Sequence, residues 1–482
     1  MDKKVVKNYL YSIVYKLLAV LVPLITAPYV SRVLHSSGVG IYSYTYTIAI
    51  AFSTFAALGV ASYGQREIAY IQDDAQKRSR VFWEIFLFRS ITTLITLAVY
   101  IVFSIIYKEY TTYLFDQIFI ILSVAFDIAW YYQGLENFRI VALQSIAVKL
   151  SALVLVFVLV KNESDTGLYI LINSLSVLVS NVFFIPYLKK SLTRVKLRSL
   201  NIFRHAKGIA EFFVPLIAVE IYSQFDKIML GFIVSDISEN GYYEQSRKIV
   251  SLVVGIAISL NNVMMSRVSN LFAKNEKETI ISCYKKCFRF ILLMSLPVAA
   301  GMFFAADSFT VWFFGAEFAN AATLLKMSGP LLIFMCVGNF VGMQYLIPTG
   351  KQNQMTCIYL ISALVNVVLN LLLIPYFYSA GAIAGSVAAE AVSCLLQIRL
   401  LKKSEYSFSL LDKAWKYVVG TLCMAAALLA VHLLIPLGGA ASVLLDIAVG
   451  AAVYFAVLLL LKEELVSELK SFIHSKKNAP KW

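Results

Sequence analysis

Cysteine is scarce in this chain, with six copies in 482 residues, at positions 283, 287, 336, 357, 394 and 423. None belongs to a CxxC pair, and Cys283 and Cys287, four residues apart, have no histidine nearby. That spacing argues against a disulfide framework and a cysteine-ligated metal site. Only 15% of the residues are charged and only four are histidine. The stretches expected outside the membrane are short and poor in His, Asp and Arg, which argues against a membrane enzyme with catalytic groups on an external loop. A basic tip runs straight into 25 apolar residues without a convincing cleavage site, so a retained first helix is expected rather than a signal peptide.

Apolar residues are abundant instead. They make up 60% of the chain, against about 45–50% in a soluble protein, and the mean hydropathy is +0.77. Runs near 20 residues long, enough to span a bilayer as a helix, recur at 9–33, 39–62, 81–107, 113–135, 142–160, 168–188, 209–233, 242–266, 288–306, 323–347, 355–376, 381–401, 415–435 and 440–461. The expected fold class is therefore an all-α polytopic membrane protein of about 14 transmembrane helices.

Basic residues settle the expected orientation. With the N-terminus inside, 32 of the 42 Lys and Arg fall in cytoplasmic segments, three (Arg32, Lys108, Lys161) outside and seven within spans. Short Lys/Arg-rich loops stay in the cytoplasm, so both termini are expected there. The +14 net charge is then a topology signal, and nucleic acid is not an expected partner.

The loop at 187–208 is the most basic and reads as a linker. The expected division is an N-lobe at 1–190, a linker at 191–208, a C-lobe at 209–405 and a final pair of helices with a tail at 406–482. The lobes look related. VPLI occurs at Val22–Ile25 and again at Val214–Ile217, while Gly40, Tyr42 and Ile48 echo Gly241, Tyr243 and Ile249. Six spans per lobe is even, so the repeat is parallel, with a pseudo-two-fold axis along the membrane normal. The last two spans, with only His432 and Asp446 of note, read as a peripheral pair facing lipid.

Charge kept inside spans marks candidate functional residues, because a charged side chain at mid-bilayer costs roughly 2.5–3.5 kcal/mol on insertion scales. Glu220, Ser223, Gln224 and Lys227 share one helix face, as do Glu244, Arg247, Lys248, Ser251 and Gly255. Lys16, Arg89, Lys149, Asp127 and Glu390 are further intramembrane charges. Ser386, Glu390, Ser393 and Gln397 form another shared face. Pro23 and Pro28 predict a kink or hinge in the first span. Trp130 and Tyr131 read as an interfacial belt, Glu84 as interfacial, His205 as a solvated loop residue, and Asp307–Ala322 as an apolar external loop.

The stretch KNYLYSIVYKLLAVLVPLITAPYVSRVL with GIYSYT after it, WYYQGLE, IYSQFDKIMLGF, YLIPTGK, and NVVLNLLLIPYF with GAIAGS resemble, in order, the Wzx-type polysaccharide flippases of the MOP (multidrug/oligosaccharidyl-lipid/polysaccharide) superfamily. The matching motif positions include Arg32, Gln133, Gly134, Glu136, Asp226 and Lys227. The resemblance implies two six-helix lobes in a V with a cleft that opens alternately to either side. The implied cargo is undecaprenyl-pyrophosphate-linked oligosaccharide, moved outward across a bacterial plasma membrane for capsule, O-antigen or exopolysaccharide assembly.

On that reading, Lys16, Arg32, Arg89, Lys149, Lys227, Arg247 and Lys248 are the expected pyrophosphate contacts, since Arg offers bidentate phosphate bonds and Lys a point charge. Tyr42, Tyr46, Tyr222 and Gln224 are expected to meet sugars. Asp127, Glu220, Asp226, Glu244 and Glu390 are counter-charges or sites for a coupling proton or sodium ion. No resident cofactor, no metal and no catalysis are expected. Partners are the lipid-linked substrate, membrane lipids and polysaccharide polymerase or assembly proteins, with a monomer as the default. Rival readings are a lipid II flippase, a drug or cation antiporter of the same fold, or structural ion pairs such as Glu244 with Lys248.

Overall fold

The computed structural model describes residues 3–188, 191–196, 198, 200–410 and 412–466. It leaves aside the side chains of residues 3–20 and of Phe138, Arg139, Ala142, Pro215, Ile221, Tyr222, Leu260, Asn262, Val263 and Ser266. The described residues are helical almost throughout, and no strand occurs among them. The chain forms two compact units, Met1–Gly241 and Tyr242–Trp482.

The first unit opens with α1 (Lys3–Ala57). It stays helical through Pro23 and Pro28 and breaks instead at His35, whose φ of 58° and ψ of −175° are non-helical. After Gly59, in the left-handed region at φ 79°, comes α2 (Val60–Tyr70). A Cβ on Gly59 would stand 3.0 Å from Phe212. Asp74 then caps α3 (Ala75–Ile106) by accepting the Gln76 and Lys77 amides, supplying an acceptor that a helix start otherwise lacks.

The next apolar run is not one helix. It divides into α4 (Thr111–Asp116), α5 (Ile118–Phe126) and α6 (Ala129–Gly134). Then follow α7 (Phe138–Leu159), α8 (Thr166–Val182), α9 (Ile185–Leu188) and α10 (Ala206–Ile233). α10 packs against α1 and α2, which is why the compact units divide after Gly241 and not at the basic linker.

The core of this unit explains the aromatic cluster in the fourth run. Trp130, Tyr131 and Tyr132 are buried with Val60, Tyr63, Phe82, Phe88 and Phe184 and form no interfacial belt. Trp130 stacks on Phe82 with ring centroids 5.6 Å apart, and a Cβ on Gly64 would lie 2.5 Å from the Trp130 ring. In lipid, tails are as apolar as core side chains, so close packing of this kind holds helices together.

α11 (Ser238–Ala257) runs from the first unit into the second, followed by α12 (Ser259–Ala273). α13 (Lys277–Phe314) carries on through Asp307, so most of the expected external loop is helix. α14 (Ala321–Val341) ends in a π-helical turn at Gly342–Leu346. α15 (Gln352–Lys402) breaks at Tyr378, where φ is 51°. Its arms fold back on each other: a Cβ on Gly381 would lie 2.6 Å from the Leu373 carbonyl, and one on Gly385 2.2 Å from Asn370 Oδ1. α16 (Ala414–Leu434) and α17 (Gly439–Leu460) complete the unit and pack on α13.

Among the described residues nine helical stretches are long and apolar enough to cross a membrane, or ten if the pair bent by 54° between Glu220 and Ser223 is one span. This is fewer than the fourteen runs in the sequence. Two stretches, Leu21–Tyr70 and Gln352–Lys402, each contain two runs joined at a break. The runs at 142–160 and 242–266 fall short in helix length or apolarity. Large apolar side chains such as Leu94, Ile95, Val102, Leu433 and Leu460 point outward, as lipid contact requires.

Candidate functional site

In the first unit the intramembrane charges are sorted by partner. Arg89 is 3% exposed and spends two donors on one residue: Nη1 on the Asp127 carbonyl oxygen (2.9 Å) and Nη2 on Asp127 Oδ2 (2.8 Å). The reason is local. Asp127 sits at the break between α5 and α6 with extended backbone, so its carbonyl has no helical donor. Non-helical backbone at membrane depth needs such a partner. Asp127 Oδ1 also accepts the Ala129 amide at 3.2 Å, at the start of α6. The expected phosphate ligand and the expected counter-charge thus hold each other.

A second cluster was not visible in the sequence. Glu84, read there as interfacial, is fully buried. It accepts from Arg80 Nε (3.1 Å), Arg204 Nη2 (2.6 Å) and the Asn201 amide (2.9 Å), and pairs with His205 Nε2 at 3.0 Å. His205, expected in solvent, is buried, with its Nδ1 2.8 Å from the Tyr63 hydroxyl. The basic linker is thereby tied to α3 and α2.

Three other expected cations of this unit keep access. Arg32 is exposed, and Lys149 and Lys227 are half-buried. Glu220 and Gln224 on α10 are also half-buried, while Asp226 is buried. Tyr42 and Tyr46 stack with centroids 5.4 Å apart, and Tyr169 meets Tyr42 edge-on at 4.9 Å. The side chains of Lys16 and Tyr222 lie outside the described residues.

In the second unit Lys248 lies 3.6 Å from Glu244, one helical turn away, and donates to Gln245 Oε1 at 3.3 Å. Arg247 is half-buried beside it. On α15, Ser386, Ser393 and Gln397, which share a face, are buried. Ser386 meets the Tyr243 hydroxyl at 3.2 Å, and Gln397 donates to Ser393 at 3.1 Å. Glu390, half-buried on that arm, lies within electrostatic reach of Cys336, Tyr359 and Cys394. Near the π-helical turn, Gln344 donates to the Asn261 carbonyl at 2.7 Å and accepts from Tyr284 through its own carbonyl at 2.6 Å.

The final helix pair is more than an accessory. Together with α11, α13 and α14 it lines a cavity of about 410 Å³ whose walls include Ile249, Pro297, Gly301 and Met424. Asp446 is the charged residue among the described lining residues. It is paired with His432 Nε2 at 2.9 and 3.1 Å. Among the described residues no cluster of three His, Cys, Asp or Glu side chains could hold a metal ion.

Half-buried cations on apolar helices suit an anionic head group. The sequence profile of the polysaccharide biosynthesis protein family matches residues 5–272. The chain belongs to this family. The profile of the MatE family matches residues 215–372. Family relatives include an O-antigen transporter of Shigella dysenteriae, 23% identical over 79% of this chain and 96% of that protein. Among solved structures, the lipid II flippase MurJ in an inward closed conformation superposes with a TM-score of 0.74, at 15% identity, over 95% of this chain and all of that one. A multidrug resistance MATE family transporter of the MOP superfamily, inward-facing, gives 0.61 at 13% identity over 80% of this chain and 99% of that one. This member of the polysaccharide biosynthesis protein family is thus a multi-pass helical membrane protein with the fold of MOP-superfamily transporters.

Proposed function

We propose that the chain is a flippase for lipid-linked oligosaccharide, moving undecaprenyl-pyrophosphate-linked repeat units from the cytoplasmic to the outer leaflet of a bacterial plasma membrane. The observation that carries this reading is its likeness, across nearly the whole of that protein, to an O-antigen transporter, within a family defined by polysaccharide biosynthesis. The physics agrees. The isoprenoid tail stays in lipid, and only the pyrophosphate and sugars need a wet path. Lys149, Lys227, Arg247 and Lys248 keep the access that phosphate contact requires, whereas Arg89 is committed to Asp127. Glu220 and Glu244, close to Lys227 and Lys248, neutralise those bases when the path is empty and let the head group leave. The transport involves no bond making or breaking, and a proton or sodium ion drives it. Both termini lie in the cytoplasm, and the working unit is a monomer.

The test is outward movement of a fluorescent lipid-pyrophosphate oligosaccharide in vesicles holding the purified protein. Hydrogen bonds to charged groups contribute about 1.5–3 kcal/mol, so Lys227→Ala and Arg247→Ala should each slow transport by about 10- to 100-fold at unchanged thermal stability. Full transport in both variants would remove these residues from the path. The superposition on MurJ supports a second reading, in which lipid II is the cargo. Lipid II in the same vesicles decides between them.

A further inference from the structure

Three amide side chains gather at the π-helical turn that ends α14, and each has an oxygen without a donor. Asn261 of α12, Gln344 in the turn and Gln397 near the end of α15 are 1%, 0% and 1% exposed. Asn261 Oδ1, Gln344 Oε1 and Gln397 Oε1 are buried and accept no hydrogen bond among the described residues. The nitrogens of the same side chains are bonded. Gln344 Nε2 donates to the Asn261 backbone carbonyl at 2.7 Å, Asn261 Nδ2 to Asn339 Oδ1 at 3.0 Å, and Gln397 Nε2 to Ser393 Oγ at 3.1 Å. The Gln344 bond fixes its orientation, because a carbonyl only accepts. α12 and α15 both pack on the turn. A Cβ on Gly342, the first residue of the turn, would lie 3.4 Å from Gln397 Oε1.

A buried carbonyl oxygen without a donor is costly, and folded proteins leave few of them. Three at one turn call for a common partner. The backbone points to its sign. The α-helical part of α14 ends at Val341, which directs the negative end of its dipole at the turn. π-helical turns inside helices are frequent at functional sites. Amide oxygens and a helix C-terminus together attract a cation and repel an anion.

The ligands also select the kind of cation. All three oxygens are neutral. Divalent cations in proteins take carboxylates among their oxygen ligands, whereas carbonyl oxygens alone replace the hydration shell of potassium in channel filters. The Lys/Arg bias assigns these ends of α14 and α15 to the cytoplasmic side, where potassium is the abundant monovalent cation. We propose that Asn261 Oδ1, Gln344 Oε1 and Gln397 Oε1 are ligands of a potassium ion that ties α12, the π-helical turn and the second arm of α15 together. This site does not depend on the flippase reading.

The test is thermal unfolding of the purified full-length protein in detergent, in choline chloride with rising potassium chloride or sodium chloride at constant ionic strength. An ion that binds only the folded state raises the unfolding temperature as its concentration rises. Potassium should do so saturably, sodium less, and choline not at all. Loss of one polar partner of a charged group lowers affinity by about tenfold or more, so Asn261→Leu and Gln397→Leu should each need about ten times more potassium. Asn261→Asp adds a negative charge and should need less, which keeps the site testable where a leucine variant does not fold. Gln117→Leu removes an equally buried and unpartnered oxygen in the first unit and should leave the potassium response as it is. Equal unfolding in the three salts overturns the proposal and assigns these oxygens to water. A stronger response to sodium than to potassium, or an unchanged potassium requirement in the well-folded Asn261 and Gln397 variants, overturns it as well.

Discussion

At the residue scale, the buried pair of Arg89 and Asp127 is structural. Arg89 closes a break in a membrane helix by satisfying the Asp127 carbonyl and carboxylate together. Arg89→Ala strands both. Breaking a buried pair costs about 3–5 kcal/mol, and the low end applies because Asp127 keeps 28% of its side chain exposed. Thermal unfolding in detergent should show the loss, with transport falling in step, in contrast to Lys227→Ala and Arg247→Ala, which should leave unfolding unchanged. A variant that folds normally and fails only in transport would put Arg89 back among the substrate contacts. Helix-face spacing marked Arg89 and Asp127 as exceptional but left them unpaired, because 38 residues separate them. Glu84 and His205 were misread for the same reason. Each looks unremarkable in its own segment, and the buried cluster exists only once the linker folds back across 121 residues.

At the scale of elements, the apolar runs were legible as helices, while their breaks were not. Pro23 and Pro28 carry the usual sequence signal for disruption, yet the first helix breaks at His35, and the other break falls at Tyr378. The last helix pair was read as peripheral because its sequence carries so little charge. Its fastening lies just beyond it. Glu464, after α17, accepts from Arg289 at 2.9 Å and is paired with Lys413, which precedes α16. These cations hold its carboxyl down to about 2 from the usual 4.5. A depressed carboxylate adds stability that is complete above the unfolded value and disappears as pH falls through the folded one. Docking of α16 and α17 on α13 should therefore weaken between about pH 4.5 and 2. Unfolding temperature measured across that range should fall in the wild type, and Glu464→Gln should flatten the slope. An identical slope in both would assign the acid sensitivity to other carboxylates.

At the scale of the whole molecule, the question is what counts as the transporter's core. The MATE transporter is matched over 99% of its length by 80% of this chain, so a smaller assembly suffices for that fold. The contacts here argue that the final pair is nonetheless structural. Tyr454 donates to the Leu293 carbonyl at 3.1 Å, filling a position inside α13. The Met424 methyl would meet a Cβ on Gly301 at 3.4 Å and one on Gly450 at 2.9 Å, so α16 sits against both neighbours at small residues, as helices in lipid prefer. The wall of the 410 Å³ cavity is shared between this pair and α11, α13 and α14. A chain ending after Ser404 would lose that wall and leave Arg289 facing solvent or lipid without Glu464 and Asp412. It should unfold at a lower temperature and accumulate poorly in the membrane. Co-expressing residues 405–482 as a separate polypeptide should recover part of both. A truncated chain as stable and as active as the full one would return the pair to the accessory role its sequence suggests.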